Sequence, residues 1–336
     1  MKNKIAFITG ITGQDGSYLA KYLLEKGYKV VGGVRRSSER SSWRLAKLGI
    51  LDKVELVDFD LLDYHNMLEV IKKYQFDEVY NLAAQSFVGT SFKQPLYALK
   101  CNGLAVCELV DIIYQYSPHT KFYQASTSEM FGEVKEIPQD EETPFNPSSP
   151  YAVAKLMAHS FVEMYRKSYG FFGCCGILFN HESPLRGDEF VTKKITNYVR
   201  AYRVGAVEDT LKLGNIDSER DWGFSGDYIK AMYLMMQLDR PDTYVIGTGK
   251  KYKVRDFVEM AFNVIGITIV WEGEGVNEKG KDSKTGEVIV EISKEFFRPN
   301  DVALLIAHPL KAKKDLGWRS ETTLYKLVKM MIDDTV

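Results

Sequence analysis

The sequence predicts a doubly wound parallel α/β sheet of the kind that binds a dinucleotide, followed by a smaller α/β unit. Three observations carry this. Short apolar runs alternate with helical patterns from residue 4 to residue 180. A glycine turn, Gly10-Ile-Thr-Gly13-Gln-Asp-Gly16, separates the first strand from the first helix. After Asn180 the texture changes to loops, basic helices and short strands. The expected division is a dinucleotide-binding Rossmann domain over 1–180, with returns near 220–247 and 290–310. The discontinuous remainder of 181–336 is expected to form the smaller domain.

The elements follow in order. Residues 4–9 read as a strand and 17–26 as a helix with Leu19, Tyr22 and Leu23 on its apolar face. Gly10 permits the tight turn, Gly13 lets the backbone approach a pyrophosphate, and Gly16 allows close helix–strand contact. The anion then rests on the helix N-terminus. The second strand, 28–34, ends in Arg35-Arg36-Ser37-Ser38, where a site for NAD usually carries an acid. Two guanidiniums and two hydroxyls suit a 2′-phosphate, so the cofactor is expected to be NADP. A third strand, 54–59, delivers Asp60 and Leu61 to the adenine. A helix is expected over 63–74 and a strand over 78–84, with Gln85 and Ser86 beneath the cofactor's middle. A long helix spans 99–116, and a strand over 121–126 delivers Thr127 and Glu129 to the carboxyl edge, where ligands bind in open parallel sheets.

The next helix carries the chemistry. Tyr151 and Lys155, four residues apart, share one face. Pro150 suits the first helical position, with Ser148 or Ser149 as its cap. A lysine ammonium beside the phenol lowers its pKa, so Tyr151 can take a proton from a sugar or alcohol hydroxyl. Thr127 offers a hydroxyl to the same oxygen, and Glu129 is a second acid/base. Beyond a strand at 173–180, helices are expected over 190–204 and 225–238 and a late parallel strand at 244–246. The stretch 250–290 reads as a small helix plus strands, with a polar insertion at 272–287. Lys194, Arg220 and Arg298 are basic groups able to hold a second, nucleotide-like phosphate.

The 336 residues are 45% hydrophobic, ample for a large core, and the net charge of −1 gives no reason to expect nucleic acid or an anionic membrane as partner. Cys101, Cys107, Cys174 and Cys175 show no metal-ligand spacing. No apolar run reaches membrane-spanning length, and a strand pattern begins at once. A cytoplasmic enzyme without a metal is expected.

With these pieces assembled, the chain resembles the extended short-chain dehydrogenase/reductases, in the branch that dehydrates GDP-sugars. The motifs are Gly10-Ile-Thr-Gly-Gln-Asp-Gly-Ser-Tyr-Leu19, Asn81-Leu-Ala-Ala-Gln-Ser86, Phe122-Tyr-Gln-Ala-Ser-Thr-Ser-Glu-Met-Phe-Gly132, Gly176-Ile-Leu-Phe-Asn-His-Glu-Ser-Pro184 and Arg220-Asp-Trp-Gly223. The resemblance covers essentially the whole chain. It implies Thr127, Glu129, Tyr151 and Lys155 as the catalytic set. It extends the cofactor site to Gly10, Thr12, Gly13, Gln14, Asp15, Gly16, Arg35, Arg36, Ser37, Ser38, Asp60, Leu61, Leu82, Ala84, Gln85, Ser86, Tyr97, Lys155, His181 and Arg186. The GDP-sugar side is Ser86, Asn180, Lys194, Arg220 and Arg298. The implied reaction is oxidation at C4 of GDP-mannose, loss of water across C5 and C6, and reduction at C6. GDP-manno-heptose is an alternative substrate, and further reduction of the keto product an alternative outcome. The chain departs from the family pattern at Pro147-Ser-Ser-Pro-Tyr151, Tyr151-Ala-Val-Ala-Lys155, Asp221-Trp-Gly-Phe224 and Arg298-Pro-Asn-Asp-Val302, all outside the catalytic set. The resemblance also implies a homo-oligomer: a dimer through helices 99–116 and 151–168, and a tetramer, a dimer of dimers, in which the loop from Arg35 to Arg44 reaches toward a neighbour's cofactor.

Overall fold

The computed structural model describes residues 3–37, 41–297 and 304–336. Ser38 and Arg298 lie outside them. Among the described residues the first half of the chain builds β1 (Ile5–Thr9), α1 (Gln14–Glu25), β2 (Lys29–Val34), α2 (Trp43–Lys47), β3 (Glu55–Asp58), α3 (Tyr64–Tyr74) and β4 (Glu78–Asn81). Then come α4 (Val88–Lys93), α5 (Pro95–Leu99), α6 (Ala105–Tyr116), β5 (Lys121–Thr127), α7 (Pro150–Tyr169) and β6 (Gly173–Leu178). These strands and a late one, Thr243–Ile246, form a parallel seven-stranded sheet. The order runs from the late strand through β6, β5, β4, β1 and β2 to β3. Chain direction across the sheet reverses between β1 and β4, the position at which open α/β sheets bind ligands.

Each face is sealed by helices whose apolar residues recur at helical spacing. Tyr18, Leu19 and Leu23 of α1 pack on one side, with Ile229, Met232 and Met235 of a later helix. Met67 and Ile71 of α3, Leu109 and Ile113 of α6, and Val162 of α7 pack on the other.

Several boundaries differ from the sequence reading, each for a physical reason. Helix α1 starts at Gln14, three residues before the expected start, because Gly13 itself occupies the N-cap. Strand β4 stops at Asn81, not at 84, because Thr9 Oγ1 accepts from the amides of both Leu82 and Ala83 at 3.0 Å. Those amides are thereby taken from the ladder, and 82–87 becomes a loop at the carboxyl edge. The expected 99–116 helix begins at Pro95 and passes through a wide π-helical turn at Lys100–Leu104. Asn102 in that turn accepts from Gln85 N at 2.8 Å and donates to Gln85 O at 2.9 Å, which fixes the 82–87 loop.

The second half continues with β7 (Asn180–Glu182), α8 (Val191–Arg203), β8 (Leu211–Leu213), β9 (Glu219–Arg220), β10 (Trp222–Phe224), α9 (Ser225–Met236) and β11 (Thr243–Ile246). It closes with β12 (Tyr252–Lys253), α10 (Val254–Val264), β13 (Ile269–Glu272), β14 (Lys279–Asp282), β15 (Val288–Ile292), β16 (Leu304–Leu305), α11 (Leu310–Leu316) and α12 (Leu324–Asp333). The expected strand 173–180 breaks at Leu178, and β7 leaves the main sheet to pair in parallel with β10. The expected polar insertion at 272–287 holds a strand instead. There β14 runs antiparallel to β13 and β15, and β8 completes a four-stranded sheet. Gly280 makes this possible, since a side chain there would press on Ile269, Trp271 and Val290. Helices α8, α10 and α12 seal this sheet around Val199, Phe257, Phe262, Leu327 and Met331.

Candidate active site

The carboxyl edge of β1 begins the site. Gly10 has φ of +69° and lies so close to Ala83 that a Cβ would stand 2.9 Å from its backbone. A Cβ on Gly16 would overlap the Gly10 carbonyl oxygen. The loop is thus closed to side chains, and no side chain caps the α1 N-terminus at Gly13. Bare amides at the positive end of a twelve-residue helix fit an anionic pyrophosphate. Arg44, which the sequence reading did not assign, braces this loop by donating to Thr12 O at 3.1 Å and Leu185 O at 2.7 Å. At the end of β2, Arg35, Arg36 and Ser37 are exposed, and Arg35 donates to the Tyr97 hydroxyl at 3.2 Å. Asp60 is turned partly inward, its carboxylate accepting from Leu62 N at 2.9 Å, and Leu61 is buried. Leu82 and Ala84 are half-buried and Ser86 exposed. Gln85 Nε2 donates to Phe87 O, while its side-chain oxygen Oε1 is buried with no hydrogen-bond partner among the described residues.

The catalytic candidates converge where β5 ends. Thr127 caps the turn that follows and accepts from Glu129 N at 3.2 Å. Ser149 proves to be the cap of α7, accepting from Ala152 N at 3.1 Å, with Pro150 at the first position. Tyr151 and Lys155 are both buried. The Thr127 hydroxyl favours the ionised phenol, and the Glu129 carboxylate opposes it, so both act on Tyr151 from nearby.

One expectation is corrected here. Lys155 does not lower the pKa of Tyr151 in this arrangement. Its ammonium donates to Ala125 O at 2.9 Å and lies 5.9 Å from the centre of the tyrosine ring. Burial, seconded by the Glu129 carboxylate, raises the phenol well above its ordinary value of 10. Burial also pushes Lys155 down to about 8. The shared helix face is real, but the carbonyl at the end of β5 takes the ammonium.

A second anchor lies one turn further along α7. His159 Nδ1 meets Ser126 Oγ at 2.8 Å, and burial pushes the imidazole down to about 4, so it is neutral. Helix α7 is therefore tied twice to the end of the strand that carries Thr127. Nothing in the sequence marked His159.

His181, expected at the cofactor site, has both ring nitrogens engaged within the protein. Nδ1 donates to Phe179 O at 2.7 Å and Nε2 meets Asp15 Oδ2 at 2.8 Å. Burial opposes the charge, but the Asp15 carboxylate outweighs it and raises the histidine. Burial likewise works against ionised Asp15, yet His181 and Ser225 hold it well below the usual carboxylate range. Both polar atoms of the ring are committed within the protein. Arg186 stands 2.9 Å from Glu182 Oε2, and its guanidinium lies 3.5 Å from the centre of the Phe190 ring.

On the substrate side, Asn180 opens β7 and is half-buried. Arg220 ends β9, is 8% exposed and donates to Glu219 O at 2.9 Å. Lys194 lies beside a hollow of about 320 Å³ lined by Tyr198, Thr210, Leu211, Lys212 and Phe296. Its ammonium sits 3.4 Å from the Phe296 ring centre and donates to Lys212 O at 2.7 Å. Asp221, unassigned from the sequence, is fully buried. It accepts from Thr248 N and Oγ1, Gly249 N and Ala307 N, so one carboxylate ties three chain segments together.

Comparison with known proteins places this geometry among nucleotide-sugar enzymes. Residues 7–331 match the family described as GDP-mannose 4,6 dehydratase. A GDP-mannose 4,6-dehydratase of Vibrio cholerae serotype O1 is 46% identical, over 99% of this chain and 93% of that protein. The Homo sapiens GDP-mannose 4,6 dehydratase is also 46% identical, over 98% and 90%. Among solved structures, RMD from Pseudomonas aeruginosa complexed with NADPH superposes with a TM-score of 0.77 at 20% identity, covering 99% of both chains. That likeness establishes the fold.

Proposed function

The chain belongs to the GDP-mannose 4,6-dehydratase family, and on that premise we propose that it converts GDP-mannose to GDP-4-keto-6-deoxymannose, with NADP as the recycled redox partner. The observation that carries the reading is the convergence of two different acid/base groups and a hydrogen-bonding hydroxyl. The Thr127 hydroxyl and the Glu129 carboxylate both act on the Tyr151 phenol where β5 meets α7. A plain dehydrogenase needs the phenol alone, whereas elimination of water needs a second group to move protons at C5 and C6.

The residues divide the work as follows. Tyr151 takes the proton of the sugar 4-hydroxyl, and Thr127 hydrogen-bonds that oxygen. A nicotinamide held here would supply the redox chemistry, with the hydride lost from C4 regained at C6 and the proton taken by Tyr151 returned at C5. A ketone at C4 acidifies the C5 hydrogen, which Glu129 removes as a proton. Glu129 then protonates the departing C6 hydroxyl, and water leaves. Lys155 assists by turning from Ala125 O toward the phenol, which lowers the phenol's pKa, and by holding the nicotinamide ribose. The preference for NADP rests on Arg35 and Arg36, two exposed guanidiniums where an acid would select NAD. Asn180, Lys194 and Arg220 supply the GDP side, with Ser86 near the sugar.

A cytoplasmic homo-oligomer is part of the same proposal. Leu96, Leu104, Val153, Met157, Met164 and Tyr169 are exposed apolar residues of the 95–116 helical run and of α7, the surface through which two copies would pair. Sedimentation showing a dimer, without a tetramer, would remove the dimer of dimers.

The test is incubation of the purified protein with GDP-mannose, read by mass spectrometry. Loss of one water without added NADPH supports the proposal. Loss of water from GDP-manno-heptose alone would keep the mechanism and change the substrate. No loss from either would overturn the role given to Glu129.

A further inference from the structure

The first turn of α1 has two faces. Its backbone amides point to the place that suits a pyrophosphate, while the side chains of Gln14 and Asp15 point into the other half of the molecule. Asp15 Oδ2 meets His181 Nε2 at 2.8 Å, and Asp15 Oδ1 accepts from Ser225 Oγ at 2.7 Å. Gln14 donates to His181 O at 3.1 Å and accepts from Ser183 Oγ at 2.7 Å. His181 lies on β7 and Ser225 directly follows β10, and these strands pair with His181 opposite Gly223. One carboxylate therefore grips both strands of the two-stranded ladder. Asn180 opens one strand, and Arg220 lies two residues before the other.

We propose that Asp15, His181 and Ser225 form a junction that couples cofactor binding to GDP-sugar binding. In this proposal Asp15 and His181 are positioning residues, and the ladder is held by the same turn that receives the cofactor's phosphates. Order imposed on that turn by the cofactor passes through Asp15 into the ladder and sets Asn180 and Arg220 for the nucleotide. By linkage the effect is reciprocal, and couplings of this kind amount to about fivefold or more in affinity. Any partner of the Asp15 carboxylate that keeps both ties preserves the coupling. Removing the Ser225 hydroxyl releases β10 alone. The inference rests on the GDP-sugar reading above.

The test is calorimetric titration with GDP, in the absence of NADP⁺ and at saturating NADP⁺. The wild-type protein is expected to bind GDP about fivefold or more tightly with the cofactor present. Ser225→Ala and Asp15→Ala should each bring that ratio toward one, and Ser225→Thr, which keeps the hydroxyl, should restore it. A merely structural role would weaken GDP binding equally in both conditions and leave the ratio intact, which would overturn the proposal. So would a wild-type ratio of one. If Asp15→Ala does not fold, the Ser225 pair decides alone. GDP that fails to bind the wild-type protein in either condition would overturn the nucleotide-sugar reading with the coupling, whereas GDP binding that ignores the cofactor would overturn only the coupling.

Discussion

The two ends of the proposed active cleft are built by different means. At the cofactor end, geometry is local. The turn between β1 and α1 is set within seven residues by the positive φ of Gly10 and by Gly16, whose Cβ would strike the backbone of Gly10 and Ile11. At the nucleotide end, geometry is borrowed across the chain. Asp221 joins segments 27 and 86 residues away, and Asp15 reaches Ser225 over 210. A steric exclusion stays in place when distant parts of the fold loosen. A buried carboxylate does so only while every segment donating to it stays in register. The cofactor end should therefore tolerate distant change, and the nucleotide end should not.

The largest expected effect lies where the two ends meet. Glu129→Gln and Tyr151→Phe should each cut turnover by about 10²–10⁴-fold, with GDP affinity by calorimetry within about twofold of wild type. Near-normal turnover in Glu129→Gln would turn the site into that of an epimerase or a simple reductase.

A matched pair tests the contrast itself. Asp221→Ala removes the acceptor of donors from Thr248, Gly249 and Ala307, of which Ala307 N is buried, and should cost about 1–3 kcal/mol in a denaturant titration. Gly16→Ala forces backbone apart at the first turn and should cost about 1–3 kcal/mol. Its main consequence should be at least tenfold weaker NADP⁺ binding, with GDP affinity measured without cofactor unchanged. If Asp221→Ala left the nucleotide end intact, the claim that this end depends on long-range ties would fail.

The smallest effect concerns Lys155. Its folded pKa, about 8, lies below its ordinary value of 10.5 because it is buried. Below pH 8 both folded and unfolded chains carry the proton, and the cost of burying the charge is felt in full. Between about pH 8 and 10.5 the unfolded chain binds the proton more readily, so stability rises with pH. Lys155→Met should flatten that rise, as read from thermal midpoints at several pH values. A slope unchanged by the substitution would show that the Ala125 carbonyl compensates the ammonium in full.

How much of this was legible follows from the range of each interaction. The strand–turn–helix at Gly10 and the α7 start at Ser149 and Pro150 could be read, because each is decided within a few neighbours. Strand β4 was read too long because the acceptor that ends it, the Thr9 hydroxyl, is 73 residues away from Leu82. Strand β14 was read as a polar insertion because its partners, not its composition, make it a strand.

The sequence alone determined the alternation that makes a parallel sheet, the glycines that admit a phosphate, and the residue types that can move protons at Thr127, Glu129 and Tyr151. Those depend on side-chain volume, periodicity and intrinsic chemistry, which travel with the residue. Tertiary structure decided where each polar atom is spent. It turned Lys155 to a carbonyl rather than the phenol, paired His181 with Asp15, and made Asp221 a tie between three segments. A buried donor or acceptor takes whatever partner the fold brings within 3 Å, because leaving it unpaired costs more than any local preference can return.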